Sequence, residues 1–450
     1  MWSEAECRKI LDEVVRLSDA DETEAYLGGG RAALTRFANN EVHQNVDEMN
    51  VSVTVRVVLG KRSGRASTNM LDHDSLVRVI EDAKAIARVS EPDDEMLPVP
   101  GTTPLQTVDA YDEKTAATTP EERAAEVAKI VSRAEKKGLT AAGKYLTGWG
   151  TLGEYGEKPA FALANSRGHI AYYRSSRAEV GATIIAADSS GWIGANHRDA
   201  RRIDFAKLGE RAIWKAEASA HPREVPAGTY TVILEPEAVA NVLWFLTWTD
   251  GFNALAVDEE RCFATGKVGQ KIFGENITIE DDCFHPLHRA RPWDGEGVPK
   301  KKTTLVEKGV LKTLVYDRRT AAKHNVEPTG HGFPAPNLMG AWPTELVVHG
   351  GSQSVEDLIR STERGILVTR FWYNRTVDPM KCIVTGMTRD GTFLVENGKI
   401  AGGLRNFRFN ESVLEMLNNV EAMSEPERAD SIVVPAMKVR DFHFTSVTRF

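Results

Sequence analysis

Hydrophobic and polar residues follow two periods along the chain, and the switches between them outline its elements. Val51, Val53, Val55 and Val57 alternate with Ser52, Thr54 and Arg56, the period of a strand with one face turned to a core. Cys7, Ile10, Leu11, Val14 and Val15 recur at helical spacing, which predicts an amphipathic helix over residues 3–18. Leu76, Ile80, Ala83 and Ala87 imply a second over 74–89. Short strands are expected at 24–27 and 33–37, with a turn at Ala38-Asn39-Asn40, because asparagine tolerates left-handed backbone. Gly60 and Gly64 break the alternating strand, and GRAST returns as its hairpin partner. Residues 90–118, rich in Pro, Asp and Thr, read as a connection. Thr119-Pro120-Glu121-Glu122 joins a capping box to a proline at the first helical position, opening a helix that stops at Gly138. From 143 to 196, strand-like runs alternate with turns such as ANSRG and ADSSG, an antiparallel meander. A surface helix is expected over 204–220, and His221-Pro222 with Pro226-Ala227-Gly228 marks a boundary.

The second half opens on a strand, TYTVIL, that feeds a largely buried helix. Pro236 suits the first helical position, with Glu235 and Glu237 beside the positive end of the helix dipole. Val239, Val242, Leu243 and Leu246 follow at helical spacing, and Trp244, Phe245 and Trp248 are expected in the core or at a subunit contact. LVEKGVLKTLVY and TFLVENGKI read as hairpins with glycine turns. Short helices over 318–324, 354–363 and 411–420 precede SIVVPAMKV, which closes a sheet. The expected fold is α+β in two domains: an N-terminal α+β domain of residues 1–222 and a β-rich C-terminal domain of 223–450 built on the central strand–helix unit.

Composition narrows the function. A chain of 450 residues with 42% hydrophobic and 27% charged residues is ordinary for globular domains with full cores. A net charge of −8 disfavours a nucleic-acid surface. Cys7, Cys262, Cys283 and Cys382 are scattered without a CxxC pair, which fits a reducing compartment. The acidic start MWSEAECRKILDE is unlike a signal peptide, and no apolar run approaches membrane-spanning length. The expectation is a cytoplasmic protein with no membrane or nucleic-acid partner.

Chemistry-bearing residues gather in few places. Cys283, His285 and His288, beside Glu280, Asp281 and Asp282, are the one dense cluster of metal-ligand types, read either as a metal site or as a polar loop. WDGEGVP holds Asp294 and Glu296, a general acid–base pair or turn formers between glycines. His331 in PTGHG sits in a glycine loop, and Arg36, Asn39, Asn40, His43 and Gln44 surround the expected turn. No phosphate loop, GxSxG elbow, HExxH or dinucleotide fingerprint occurs.

The strand–helix opening, GKVGQKIF, PWDGEGVPKKKTTLVEKGVLKTLVYDRRTAAKH, EPTGHG, TRDGTFLVENGKI and SIVVPAMKV resemble the C-terminal half of the TldD/PmbA family, also called modulators of DNA gyrase. TRFANNEVHQN and GKRSGRASTN resemble its N-terminal half. In the TldD branch the central helix bears an HExxxH zinc motif, which falls here at roughly residues 244–250, and a further Cys ligand, which falls near 429–431; neither stretch has those ligands. The chain therefore resembles the TldE (PmbA) branch. That resemblance implies a non-catalytic subunit that binds no cofactor, paired with a TldD-like zinc metallopeptidase or with itself, and taking extended or unfolded peptide. It also places WDGEGVP with Trp293 and His331 at the cleft, while Arg36, Asn39, Asn40, His43 and Gln44 read either as a hairpin with a satisfied turn or as a peptide-contacting edge. The alternatives are a self-sufficient hydrolase with a relocated site acting on a peptide or small molecule, and a gyrase- or DNA-associated binding module.

Overall fold

The computed structural model describes residues 1–150 and 160–448. Two β-sheets organise them. In the first, the long hairpin of Glu22–Ala38 and Glu41–Leu59 lies between Arg62–Thr68 on one side and Thr140–Gly150, Ser176–Ile185 and Ser190–His197 on the other. Ala160–Asn165 also pairs with Glu22–Ala38 and carries Ile170–Tyr172 beside it. The two strands expected at 24–27 and 33–37 are one strand, running straight through Gly28-Gly29-Gly30. Those glycines do not interrupt the sheet because close neighbours require them. A Cβ on Gly29 would stand 2.1 Å from the Asn50 carbonyl oxygen, and one on Gly30 would stand 2.0 Å from that of Trp149.

The alternation read at 51–57 decides what each face does. Val53, Val55 and Val57 point to the helices Glu4–Leu17 and His73–Val89, where they meet Cys7, Leu11, Val14, Leu76 and Ile80. The opposite face carries Ser52, Thr54 and Arg56, turned toward the C-terminal half. Arg56 is buried there and donates to Glu24 Oε2 at 2.5 Å. Pro120–Lys136 and Phe205–Ala218 cover the rest of the sheet through Val127, Ile130, Phe205 and Ile213. Thr119 closes a capping box with Glu122, as its sequence predicts.

In the second sheet, Gly228–Leu234 pairs in parallel with Arg364–Asp378 and antiparallel with Ile432–Val447. Since Ile383–Glu396 and Phe407–Ser412 bridge the other ends of that series, five strands close into a ring. Phe371, Phe407, Phe409, Phe442 and Phe444 pack against one another, with Phe371 and Phe409 centroids 4.5 Å apart. From Ile432–Val447 the sheet extends through Leu346–Val348, Ile279–Asp281, Thr303–Glu307 and Val310–Leu311. The turns Lys308-Gly309 and Asn397-Gly398 have positive φ at both residues, the hairpin geometry expected from VEKG and VENG.

The central helix, Pro236–Trp248, follows the ring strand Gly228–Leu234 directly and packs on Arg364–Asp378 and Ile432–Val447. Its N-cap residue Glu235 makes no side-chain cap. The carboxylate instead receives Lys215 Nζ at 2.6 Å and Arg211 Nη2 at 3.1 Å, both from the helix Phe205–Ala218 of the other half. Burial alone would raise Glu235, but Lys215 and Arg211 together hold it below its ordinary value. Burial pulls Lys215 down, since it has this single carboxylate and shares it with Arg211. Ser190 Oγ donates to Asp390 at 2.7 Å across the same junction, and Asp390 also receives Arg370.

Removing one partner of a buried ion pair strands the other charge. Lys215→Ala is therefore expected to cost about 3–5 kcal/mol in urea unfolding. Lys215→Met combined with Glu235→Leu should recover most of it. An unchanged midpoint in Lys215→Ala would show that the pair does not hold the halves together.

Candidate functional site

Between the polar face of the first sheet and the C-terminal half runs a groove of three adjoining cavities, of about 570, 410 and 850 Å³. Asn196, Arg428 and Asp430 line both the first and the second. Tyr173, Ser175, Ala290, Thr344 and Glu345 line both the second and the third. The groove follows from strand alternation: with valines spent on the helices, Ser52 and Thr54 are left to face it.

The largest cavity has a charged floor and an aromatic mouth. Lys300 Nζ is bound to Glu345, and His331 Nε2 lies 3.0 Å from Asp281 Oδ1. Burial would raise Asp281, but His331 and then Lys300 outweigh it and hold the carboxyl at about 2. The Trp342 ring meets Phe333 at 5.4 Å and Trp248 at 5.9 Å between centroids, so an aromatic run leads from exposed Trp248 to the cavity wall. Trp342 Nε1 donates to Asp250 at 2.5 Å and fixes that run to the end of the central helix.

The residues singled out from sequence are dispersed. Cys283 is sealed in the interior, and burial pushes its thiol up. His288 is buried with Nε2 on the Leu346 carbonyl at 3.0 Å, while Arg428 approaches Nδ1 at 3.3 Å. His285 takes the Leu287 N–H on Nδ1 at 3.3 Å. Glu280 is held in a surface network by Lys302 and His349.

Asp294 and Glu296, read as an acid–base pair or as turn formers, are buried. Asp294 Oδ1 accepts the N–H groups of Glu296 and Val298, each at 2.9 Å, and Oδ2 accepts that of Gly332 at 2.7 Å. It forms the turn and pins the two glycine loops together. Glu296 Oε2 accepts the Arg318 N–H at 2.9 Å, and burial followed by the Asp294 charge pushes its carboxyl well up. Trp293, expected as a cleft contact, is fully buried among Tyr26, Leu163 and Tyr173 with Arg291 over its ring, so it supports the wall from behind. His331 is not an exposed loop residue, since its ring is enclosed between Asp281 and Thr329.

Asn39 and Asn40 form the hairpin tip with positive φ, and Asn40 ties it to Leu139 and Ala141. Arg36, Asn39, Asn40 and His43 do not line the three cavities, although Ala141 adjoins Ala142 on the wall of the first. Of the helix aromatics, Phe245 is core, Trp244 lines the second cavity, and Trp248 is 46% exposed. Of the three, Phe245 is the one that packs in the core. Residues that sequence reading missed, Arg65, Tyr173, Arg198, Lys300, Glu345 and Arg428, come from distant segments with no local motif.

Comparison with known proteins fits this architecture to a family. Three sequence models of one family match in chain order: PmbA/TldA metallopeptidase domain 1 at residues 23–87, the central domain at 112–220 and the C-terminal domain at 227–446. The chain belongs to the PmbA/TldD family. It is 25% identical to the metalloprotease PmbA of Escherichia coli O157:H7 over 96% of both chains. It is 28% identical to a metalloprotease of Methanothermobacter thermautotrophicus over 59% of this chain and 60% of that one. A match to an uncharacterized Methanocaldococcus jannaschii protein spans 55% of that relative, so the archaeal likenesses cover about half of those proteins' lengths. In structure the chain resembles TldE from Thermococcus kodakarensis, with TM-score 0.85 at 22% identity over 98% of this chain and 99% of that one. A candidate modulator of a DNA gyrase from Thermotoga maritima has the same score at 21% identity, over 98% and 100%.

The zinc implied by this family does not fit the residues present. The stretches where its ligands would fall do meet, since Trp244 and Asp430-Ser431 line the same cavity. At that cavity Trp244, Asp430 and Ser431 offer an indole, one carboxylate and a hydroxyl. Among the described residues no three His, Cys, Asp or Glu side chains gather as a metal site.

Adjacent positions on the central helix separate packing from lining. Phe245→Ala is expected to cost about 3–5 kcal/mol in chemical denaturation, and Trp244→Ala less, since its ring faces the cavity. Equal losses would place Trp244 in the core as well.

His288 gives a pH signature. Burial, and then Arg428, bring its folded value down to about 4 from 6.5, against the opposing pull of Glu345 and Asp281. Its contribution is therefore complete above pH 6.5 and is lost as pH falls toward 4, about 3 kcal/mol in all. His288→Gln should flatten stability over that window, and an unchanged slope would remove the assignment.

Proposed function

We propose that this chain is a non-catalytic, TldE-like subunit that holds extended peptide in the groove and works beside a TldD-like zinc metallopeptidase. The observation that carries the reading is the convergence of Trp244 and Asp430-Ser431 on one cavity without a ligand set. The place in the fold persists while its chemistry is replaced. The polar floor and the aromatic mouth suit a main chain with intermittent apolar side chains. The family relation supports the partner: PmbA and TldD homologues match this chain in sequence, and TldE of Thermococcus kodakarensis shares the fold. On this reading the protein acts in the cytoplasm, and zinc belongs to the partner subunit.

The self-sufficient alternative has less support, because Asp294 is consumed by three backbone N–H groups and Glu296 by a fourth. The purified chain alone is expected to leave casein intact, and mixing it with an HExxxH-bearing homologue should give chelator-sensitive cleavage. Metal-dependent cleavage by the lone chain, abolished by Glu296→Gln, would replace the proposal with the hydrolase reading.

A further inference from the structure

The second cavity is walled by arginines, among them Arg198, Arg289 and Arg428, with Glu345 and Asp430 as the carboxylates on the same wall. Arg198 comes from the end of the strand Ser190–His197, Arg289 from the loop after Asp281, and Arg428 from the strand Val420–Ala429. Two of them are secured from behind by carbonyls of one short segment. Arg198 donates to the His288 oxygen at 2.6 Å and to that of Pro286 at 3.3 Å, and Arg428 donates to the Leu287 oxygen at 2.9 Å. Arg289 is tied to the Asp109 carbonyl at 3.2 Å and meets the Asp109 carboxylate only at 3.9 Å, at the exposed edge.

Carbonyls fix the guanidinium groups but do not neutralise them. Among the described residues neither Arg198 nor Arg428 forms an ion pair, and Glu345 on the same wall is taken by Lys300. Arg428 Nε is buried without an acceptor. His288 adds no negative charge. With Nε2–H on the Leu346 carbonyl, its neutral ring turns a lone pair toward Arg428. The cluster bears the marks of unrelieved charge: burial and then Arg289 bring Arg198 down to about 10, and burial followed by Arg177 lowers Arg428. A protein that leaves preorganised, half-desolvated guanidinium groups on a cavity wall has an anion site in waiting.

We propose that Arg198, Arg289 and Arg428 form a carboxylate subsite that receives the C-terminal carboxylate of a bound peptide. The assignment rests on the peptide reading of the groove. The cavity adjoins the larger one through Tyr173, Ser175 and Thr344, so a chain entering past Trp248 and Trp342 would end at the arginines. An α-carboxylate there would accept two or three charge-assisted hydrogen bonds in place of water.

The test uses the full chain and an unstructured peptide labelled at its N-terminus, made as the free acid and as the C-terminal amide, with binding read by fluorescence anisotropy. The free acid is expected to bind on the order of tenfold more tightly than the amide or better. That preference should disappear in Arg289→Gln, which lies at the exposed edge, and in Arg198→Gln. Inorganic phosphate should compete with the acid and not with the amide. Equal binding of acid and amide to the unmodified protein would overturn the subsite while leaving the peptide groove intact. No binding of either peptide, with phosphate still raising the melting temperature of the unmodified protein but not of Arg198→Gln, would overturn the peptide assignment and the proposed function together. The corner would then be a free-anion site.

Discussion

The groove exists because two sheets are held at a fixed separation, and Glu235 is the point at which that separation is set. Its backbone N–H is bound to the Val368 carbonyl at 3.0 Å, which locks it to the ring of the C-terminal sheet. Its carboxylate is bound by Lys215 and Arg211 from the helix over the N-terminal sheet. One residue thus ends a strand, starts the central helix and anchors the opposite half. A buried ion pair gives little net stability compared with apolar contacts, but it has one good geometry. Sliding one half against the other would strand a charge, whereas an apolar contact would merely repack.

That constraint explains how the three cavities come to share walls. The central helix begins at the clamp and ends at Asp250, which holds Trp342 and with it the aromatic mouth. Glu237, in the first turn of the same helix, faces the first cavity, and burial raises it to about 7. Trp244, further along, faces the second. The helix therefore presents a carboxyl to the first cavity and an indole to the second while Phe245, Val239 and Leu243 fill the core on its other side.

Much of this was legible in the sequence where the deciding physics is local. The Val51–Val57 alternation, the Thr119–Glu122 capping box and the Asn397-Gly398 turn each need only a few neighbouring residues to be read. Gly28-Gly29-Gly30 was misread because glycine signals both a break and close strand approach, and only the partners Asn50 and Trp149 distinguish the two. Trp293 and His331 sit in glycine loops, which ordinarily lie at the surface. Both are buried because Asp294 ties those loops to each other and Asp281 faces the imidazole. The arginine corner had no sequence signature at all: segments distant in the chain deliver its members, and each is an ordinary surface residue until the sheets close over it.

The long hairpin of the first sheet carries one more consequence. Arg62–Thr68 pairs with only the second half of Glu41–Leu59, from Val53 onward, so, among the described residues, 41–52 keep one backbone edge unpaired. An open edge of that length is a template on which identical chains can zip together into fibres. Glu41 and Glu48 stand exposed along it, and the tip turns sharply through Asn39-Asn40. Two copies paired edge to edge in parallel and in register would set these acids against their own kind. The arm can thus stay open to a different chain while it repels its own image.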